Sequence, residues 1–270
     1  MPPKSLKKAA ALQKNVHGSR LAYLPGLDGL RALAVIAVLL YHAEVPWMAG
    51  GFLGVEIFFA ISGYLITSLL LAEWQNRGGV SLKEFWLRRA RRLLPALFLL
   101  LVATLAFAVV FLPTEVAGLG SDALASFGYI TIWYLSFSRE SYFETMGRPS
   151  LLRHLWSLAV EEQFYLLWPL IFIAGMRFLR QRKFTVAIIA GAIASALLMA
   201  RLYQPNVDPS RIYYGTDTRA VGILIGAALA LFWIPKPGKN KKSLRSFAAL
   251  DLLGLGALGA LVWLCLKLDE

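Results

Sequence analysis

Apolar residues come in long blocks along this chain, separated by short polar or basic stretches. The blocks run over about residues 27–43, 52–74, 93–112, 155–179, 185–202, 219–233 and 247–266. Blocks near 18 residues are long enough for a helix to cross a bilayer core of about 30 Å. A further block, 123–137, is shorter and rich in aromatic residues. In lipid a spanning segment has to satisfy its own backbone hydrogen bonds, which selects the helix. The pattern therefore predicts an all-α, polytopic membrane bundle of about eight apolar segments. No internal repeat and no low-complexity tract interrupts it.

Composition agrees with that reading. The chain has 270 residues, 58% of them hydrophobic, and a mean hydropathy of +0.60. Only 16% are charged, against about 25% in soluble domains. A net charge of +12 is compatible with a nucleic-acid partner, but Lys and Arg sit in clusters between apolar blocks. That is the positive-inside pattern of a membrane protein, and a nucleic-acid partner is set aside.

Charge also sets topology. Residues 1–20 read as a basic cytoplasmic tail facing anionic membrane lipid. The cluster Arg77, Lys83, Arg88, Arg89, Arg91 and Arg92 is cytoplasmic, so the N-terminus is inside and the loop 45–51 outside. If 123–137 crossed, Arg177–Lys183 and Lys236–Lys242 would both lie outside. The segment is therefore predicted not to cross. Cys265 is the one cysteine, and His17, His42 and His154 lie far apart without ligand spacing, so no metal is expected.

Charges inside apolar blocks mark candidate chemistry, because holding a charge at bilayer depth costs roughly 2.5–3.5 kcal/mol on insertion scales. Arg31 and His42 are 11 positions apart. On one helix that places them about 20° apart around the axis and about 16.5 Å along it. Read singly, Arg31 is a snorkelling anchor and His42 a hydrogen-bonded packing residue. On one stripe, followed by Glu44, they gain a functional reading. Imidazole is suited to take a proton near neutral pH, as general base on an attacking hydroxyl.

Four further stretches carry candidates. In GGFLGVEIFFAISGYL, small residues including Gly63 allow close helix approach, Ser62 reads as bonded to its own helix, and Glu56 needs a partner. In RRARRLLP, Arg88, Arg89, Arg91 and Arg92 are either lipid anchors or forked guanidinium groups for the phosphates of a nucleotide-bearing donor. In HLWSLAVEEQFYLLWPL, His154, Ser157 and Glu161 fall near one stripe, and Glu161 and Glu162 cannot both face lipid. In TDTRAVGILIG, Asp217 and Arg219 open an apolar helix, as site residues or as interfacial charges.

At these residues the chain resembles the membrane-bound acyltransferase family 3, bacterial enzymes that acylate cell-envelope sugars and related acceptors. The matching pieces are LDGLRALAV with Arg31 and His42, GGFLGVEIFFAISGYLI, Arg89 and Arg92 as an Arg-x-x-Arg pair, HLWSLAVEEQFYLLWP, and DTRAVGILIG. They fall in the family's order and cover roughly residues 21–267. The resemblance implies that 21–270 is one transmembrane acyltransferase domain.

It further implies His42 as the essential histidine with Arg31 as its partner, and Arg89 and Arg92 in the acyl-donor motif. It implies a polar site holding Glu161 and Glu162. The implied reaction moves an acyl group, acetyl being expected, from acyl-coenzyme A to a hydroxyl of a carbohydrate or lipid-linked glycan. The implied setting is the bacterial inner membrane. Glu56 stands where the family often has Asp. The family usually has about ten helices, so the resemblance also implies a C-terminally incomplete domain. The alternative is a transporter of a solute or lipid-linked sugar that uses the same buried charges.

Overall fold

The structure is a computed structural model and describes residues 24–116, 119–120, 151–205, 207–233 and 244–267. Its long helices are α1 (Pro25–His42), α2 (Leu53–Arg77), α3 (Leu82–Phe111), α4 (Trp156–Phe178) and α5 (Gln181–Leu202). The short α6 (Ser210–Tyr214) follows, then α7 (Thr216–Phe232) and α8 (Leu244–Lys267). A 3-10 turn, Ala49–Phe52, leads into α2, and another, Arg153–Leu155, into α4. No strand occurs among the described residues. Among them, 6 helical segments, from Pro25–His42 to Ser210–Phe232, are long and apolar enough to cross a membrane. The expected tail 1–20 and the non-crossing segment 123–137 lie outside the described residues.

The helix starts follow local chemistry. Pro25 opens α1, where its fixed φ suits the first turn and its missing N–H costs nothing. Asp28 lies in that first turn, where the helix dipole favours an acid. The largest departure from the expected boundaries is α3. The hydropathy step places its start near residue 93, but the helix begins at Leu82 and runs unbroken through Pro95. Hydropathy locates where lipid begins, whereas Leu, Lys, Glu and Arg are good helix formers and extend the helix beyond it. RRARR is therefore part of the helix.

The chain divides into two compact units, residues 1–72 with 226–270, and residues 73–225. In the first, glycines bring backbones into contact. A Cβ on Gly54 would strike the Ala34 carbonyl oxygen of α1, and one on Gly226 would strike the Ala60 carbonyl oxygen of α2. Small residues at such positions let membrane helices approach closely.

In the second unit, Leu97, Leu101 and Ala108 of α3 form a buried cluster with Leu119 and Leu152. Trp168 and Phe172 of α4 each lie 6.1 Å from the Phe184 ring of α5. Trp74 packs edge-on against Phe172 at 6.3 Å.

Candidate functional site

In the first unit the candidates lie on α1 and α2. Arg31 pairs loosely with Asp28 at 3.7 Å, one turn earlier. His42 is the last residue of α1 and is exposed. Its Nδ1 lies 2.8 Å from the Val38 carbonyl oxygen. A carbonyl only accepts, so this contact places the ring proton on Nδ1 and leaves the lone pair on Nε2. Tyr41 meets the ring edge-on at 5.1 Å.

Immediately after His42 the chain turns sharply. Glu44 has φ 54, in the left-handed region. Its N–H donates to the Tyr41 carbonyl at 2.9 Å, and the Val45 N–H donates to Leu40 at 3.1 Å. These two bonds define a Schellman ending, in which this position is usually glycine. Glu56 is half-buried in the first turn of α2, and Ser62 and Gly63 are buried further along it.

In the second unit the four arginines of α3 separate into different environments. Arg88 Nη2 lies 3.6 Å from Glu73, and its Nη1 lies 3.5 Å from Glu84. Arg89 sits 5.3 Å over the Tyr165 ring of α4 and 5.8 Å over Phe85. Arg91 and Arg92 are exposed.

The Tyr165 hydroxyl donates to Glu161 Oε2 at 3.0 Å, and the Trp86 indole N–H donates to the Tyr165 carbonyl at 3.2 Å. Glu162 feels the charges of both Glu161 and Arg89. Its Oε1 is buried with no hydrogen-bond partner among the described residues. The structure thus brings Arg89, Tyr165, Glu161 and Glu162 together on α3 and α4 of the second unit, with Tyr165 buried and the charged groups half-buried.

The remaining candidates are placed differently. His154 lies in the 3-10 turn ahead of α4 and is exposed, while Glu161 is half-buried on α4. The seven-residue spacing between them is therefore not carried by one continuous α-helix. Ser157 Oγ donates to the His154 carbonyl at 3.4 Å. Asp217 forms a two-pronged pair with Arg211, at 3.0 and 2.7 Å. Arg219 donates from Nε to the Tyr213 carbonyl at 2.9 Å, and its guanidinium lies 4.6 Å over that ring and 5.9 Å over Trp156. Thr216 Oγ1 bonds Gln163 at 2.8 Å and ties α7 to α4.

Sequence reasoning passed over Glu73, Tyr165 and Arg211. Glu73 had a local signal, since it stands four residues before Arg77. Tyr165 had the same kind of signal, four residues after Glu161, whereas Arg211 had none beyond composition. Among the described residues no group of three or more His, Cys, Asp or Glu is placed to hold a metal ion.

A family profile described as an acyltransferase domain matches residues 24–266. The chain is 49% identical over 212 residues to a peptidoglycan O-acetyltransferase, OatA, of Listeria monocytogenes, covering 78% of this chain and 34% of that protein. It is 46% identical over 243 residues to a putative peptidoglycan O-acetyltransferase, YrhL, of Bacillus subtilis, covering 86% and 38%. It is 41% identical over 242 residues to an O-acetyltransferase, OatA, of Staphylococcus aureus, covering 90% and 40%. The chain thus spans well under half the length of these curated relatives. No solved structure matches it.

Proposed function

The chain belongs to the membrane-bound acyltransferase family 3, and from that premise we propose that it is an integral-membrane O-acetyltransferase of the bacterial cell envelope. The donor is acetyl-coenzyme A, reached from the cytoplasm. The acceptor is a hydroxyl of an envelope glycan, and peptidoglycan is the class that the relatives' names favour. The protein lies in the plasma membrane with its N-terminus in the cytoplasm.

The observation that carries the chemistry is the 2.8 Å contact between His42 Nδ1 and the Val38 carbonyl. It presents Nε2 as a base at the end of a membrane helix. In the reaction an acceptor oxygen forms a bond to the acetyl carbon and the carbon–sulfur bond of the thioester breaks. The acceptor proton passes to Nε2 and then to the departing thiolate. Arg31 supports His42 from the same helix.

Arg89 and Arg92 hold the phosphates of the donor, as forked guanidinium groups do well. Glu161 and Glu162 supply a polar lining, and Glu56, Ser62, Gly63, His154, Ser157, Asp217 and Arg219 support the helices that carry these groups. The relatives carry acetyltransferase names, and no observation favours the transporter alternative.

The test uses inverted membrane vesicles containing the parent, His42→Ala or Arg89→Ala, supplied with labelled acetyl-coenzyme A. Label should enter the glycan fraction with the parent. Loss of the base should lower transfer by about 10²–10⁴-fold. A normally expressed His42→Ala variant that transfers at the parental rate removes this mechanism.

A further inference from the structure

Glu73 closes the last turns of α2 and is 5% exposed, the one charged residue so enclosed among the described residues. Its Oε1 accepts the Ser81 backbone N–H at 3.0 Å and lies 3.6 Å from Arg77 Nη1. Its Oε2 lies 3.6 Å from Arg88 Nη2. Glu84 completes the set, 3.3 Å from Arg77 and 3.5 Å from Arg88.

A carboxylate taken out of water this far needs charged and hydrogen-bonded partners. Glu73 has both, and they come from the two sides of the turn at Gly78 and Gly79. The Ser81 N–H is one of the donors that a helix start leaves unsatisfied, and the Ser81 side chain itself makes no capping bond to α3.

Two consequences follow for α3. First, Arg88 is tethered to Glu73 while its neighbour Arg89 is packed on Tyr165. Successive residues point about 100° apart on a helix, so these two contacts together fix the rotation of α3 about its axis. That rotation decides where Arg91 and Arg92 point, and both are exposed. Second, Arg77 and Arg88 face acids, so their charges are met within the protein. Among the described residues, Lys83, Arg91 and Arg92 show no such ion pair.

We propose that Glu73, hydrogen-bonded to the Ser81 amide and ion-paired with Arg88, is a positioning residue for the donor site, setting α3 so that Arg92 rather than Arg88 meets the donor phosphates. This rests on the acyl-coenzyme A reading above.

The test is binding of coenzyme A to the purified chain in detergent, by calorimetry. The variants are Glu73→Gln, Arg88→Gln, Arg92→Gln and the double variant Glu73→Gln with Arg88→Gln. Arg92→Gln should weaken binding at least about tenfold, and Glu73→Gln by about tenfold, the scale of coupling between contacting side chains. The double variant should bind no worse than Glu73→Gln, because both changes break one clamp. Thermal unfolding is followed alongside, since a purely structural role lowers the midpoint and leaves the affinity of the folded protein unchanged.

Parental affinity in folded Glu73→Gln overturns the proposal. So do losses that multiply in the double variant, because Arg88 is then an independent phosphate ligand. If Glu73→Gln does not fold, Arg88→Gln combined with Arg92→Gln decides: binding no worse than that of Arg92→Gln alone supports the proposal, because Arg88 then acts only through Arg92, and losses that multiply overturn it. A parent that binds no coenzyme A removes the donor reading itself and the proposal with it.

Discussion

The Tyr165 hydroxyl donates a 3.0 Å hydrogen bond to Glu161, one turn earlier on α4, while its ring lies 5.3 Å beneath the Arg89 guanidinium of α3. One side chain thus joins a carboxylate to a cation across two helices. Tyrosine suits the place because its face attracts a cation and its edge carries a donor.

Tyr165→Phe keeps the ring under Arg89 and removes only the hydroxyl. It should cost about 1 kcal/mol of stability, the usual net worth of one hydrogen bond. Acetyl transfer should fall further than that loss explains, because Glu161 loses the restraint that this hydroxyl supplies. Thermal unfolding in detergent and label transfer in vesicles measure the two separately. Unchanged transfer would show that Glu161 needs no such restraint.

Glu44→Gly should stabilise the protein. The residue sits at φ 54 in a Schellman ending, a conformation that costs a residue with a Cβ about 1–2 kcal/mol. Glycine removes that cost, so the unfolding midpoint should rise. Transfer that falls while stability rises would mean that the carboxylate beside His42 is kept for its chemistry.

Gly226→Ala should destabilise the first unit, because its Cβ would meet the Ala60 carbonyl oxygen and the Tyr64 backbone nitrogen. Backbone cannot swing aside as a flexible side chain does, so a loss of about 1–3 kcal/mol is expected. Gly256→Ala is the control, since nothing lies within 4 Å of its Cβ position. Alanine is the better helix former there and should leave stability equal or higher. Equal behaviour of the two variants in thermal unfolding would argue against the close approach of α2 and α7.

Asp217→Asn should cost less than about 1 kcal/mol, because its partner Arg211 is largely exposed and water screens the pair. Gly215→Ala should cost more, since its Cβ would meet the Arg211 guanidinium, the Asp217 carboxylate and the buried Thr218 hydroxyl. Thermal unfolding that ranks the midpoint of Asp217→Asn at or below that of Gly215→Ala would argue against this close packing at the α6–α7 junction.

Much of this protein was legible in its sequence. The helices were, because lipid forces each spanning segment to close its own hydrogen bonds, so hydropathy alone marks them. The family was, because the motif pieces around Arg31, His42, Arg89, Arg92, Glu161 and Asp217 occur in a fixed order. The His42–Val38 bond was within reach too, being one helical turn long.

Only the tertiary structure decided the pairings. Arg89 and Tyr165 lie 76 positions apart, and nothing local says that one covers the other. Arg88 and Arg89 are neighbours in sequence, yet one meets Glu73 and the other an aromatic face. Adjacent residues on a helix point about 100° apart, so packing gives them different partners. The start of α3 was missed for a related reason. Hydropathy reports contact with lipid, whereas a helix continues wherever its backbone bonds and side-chain pairs sustain it.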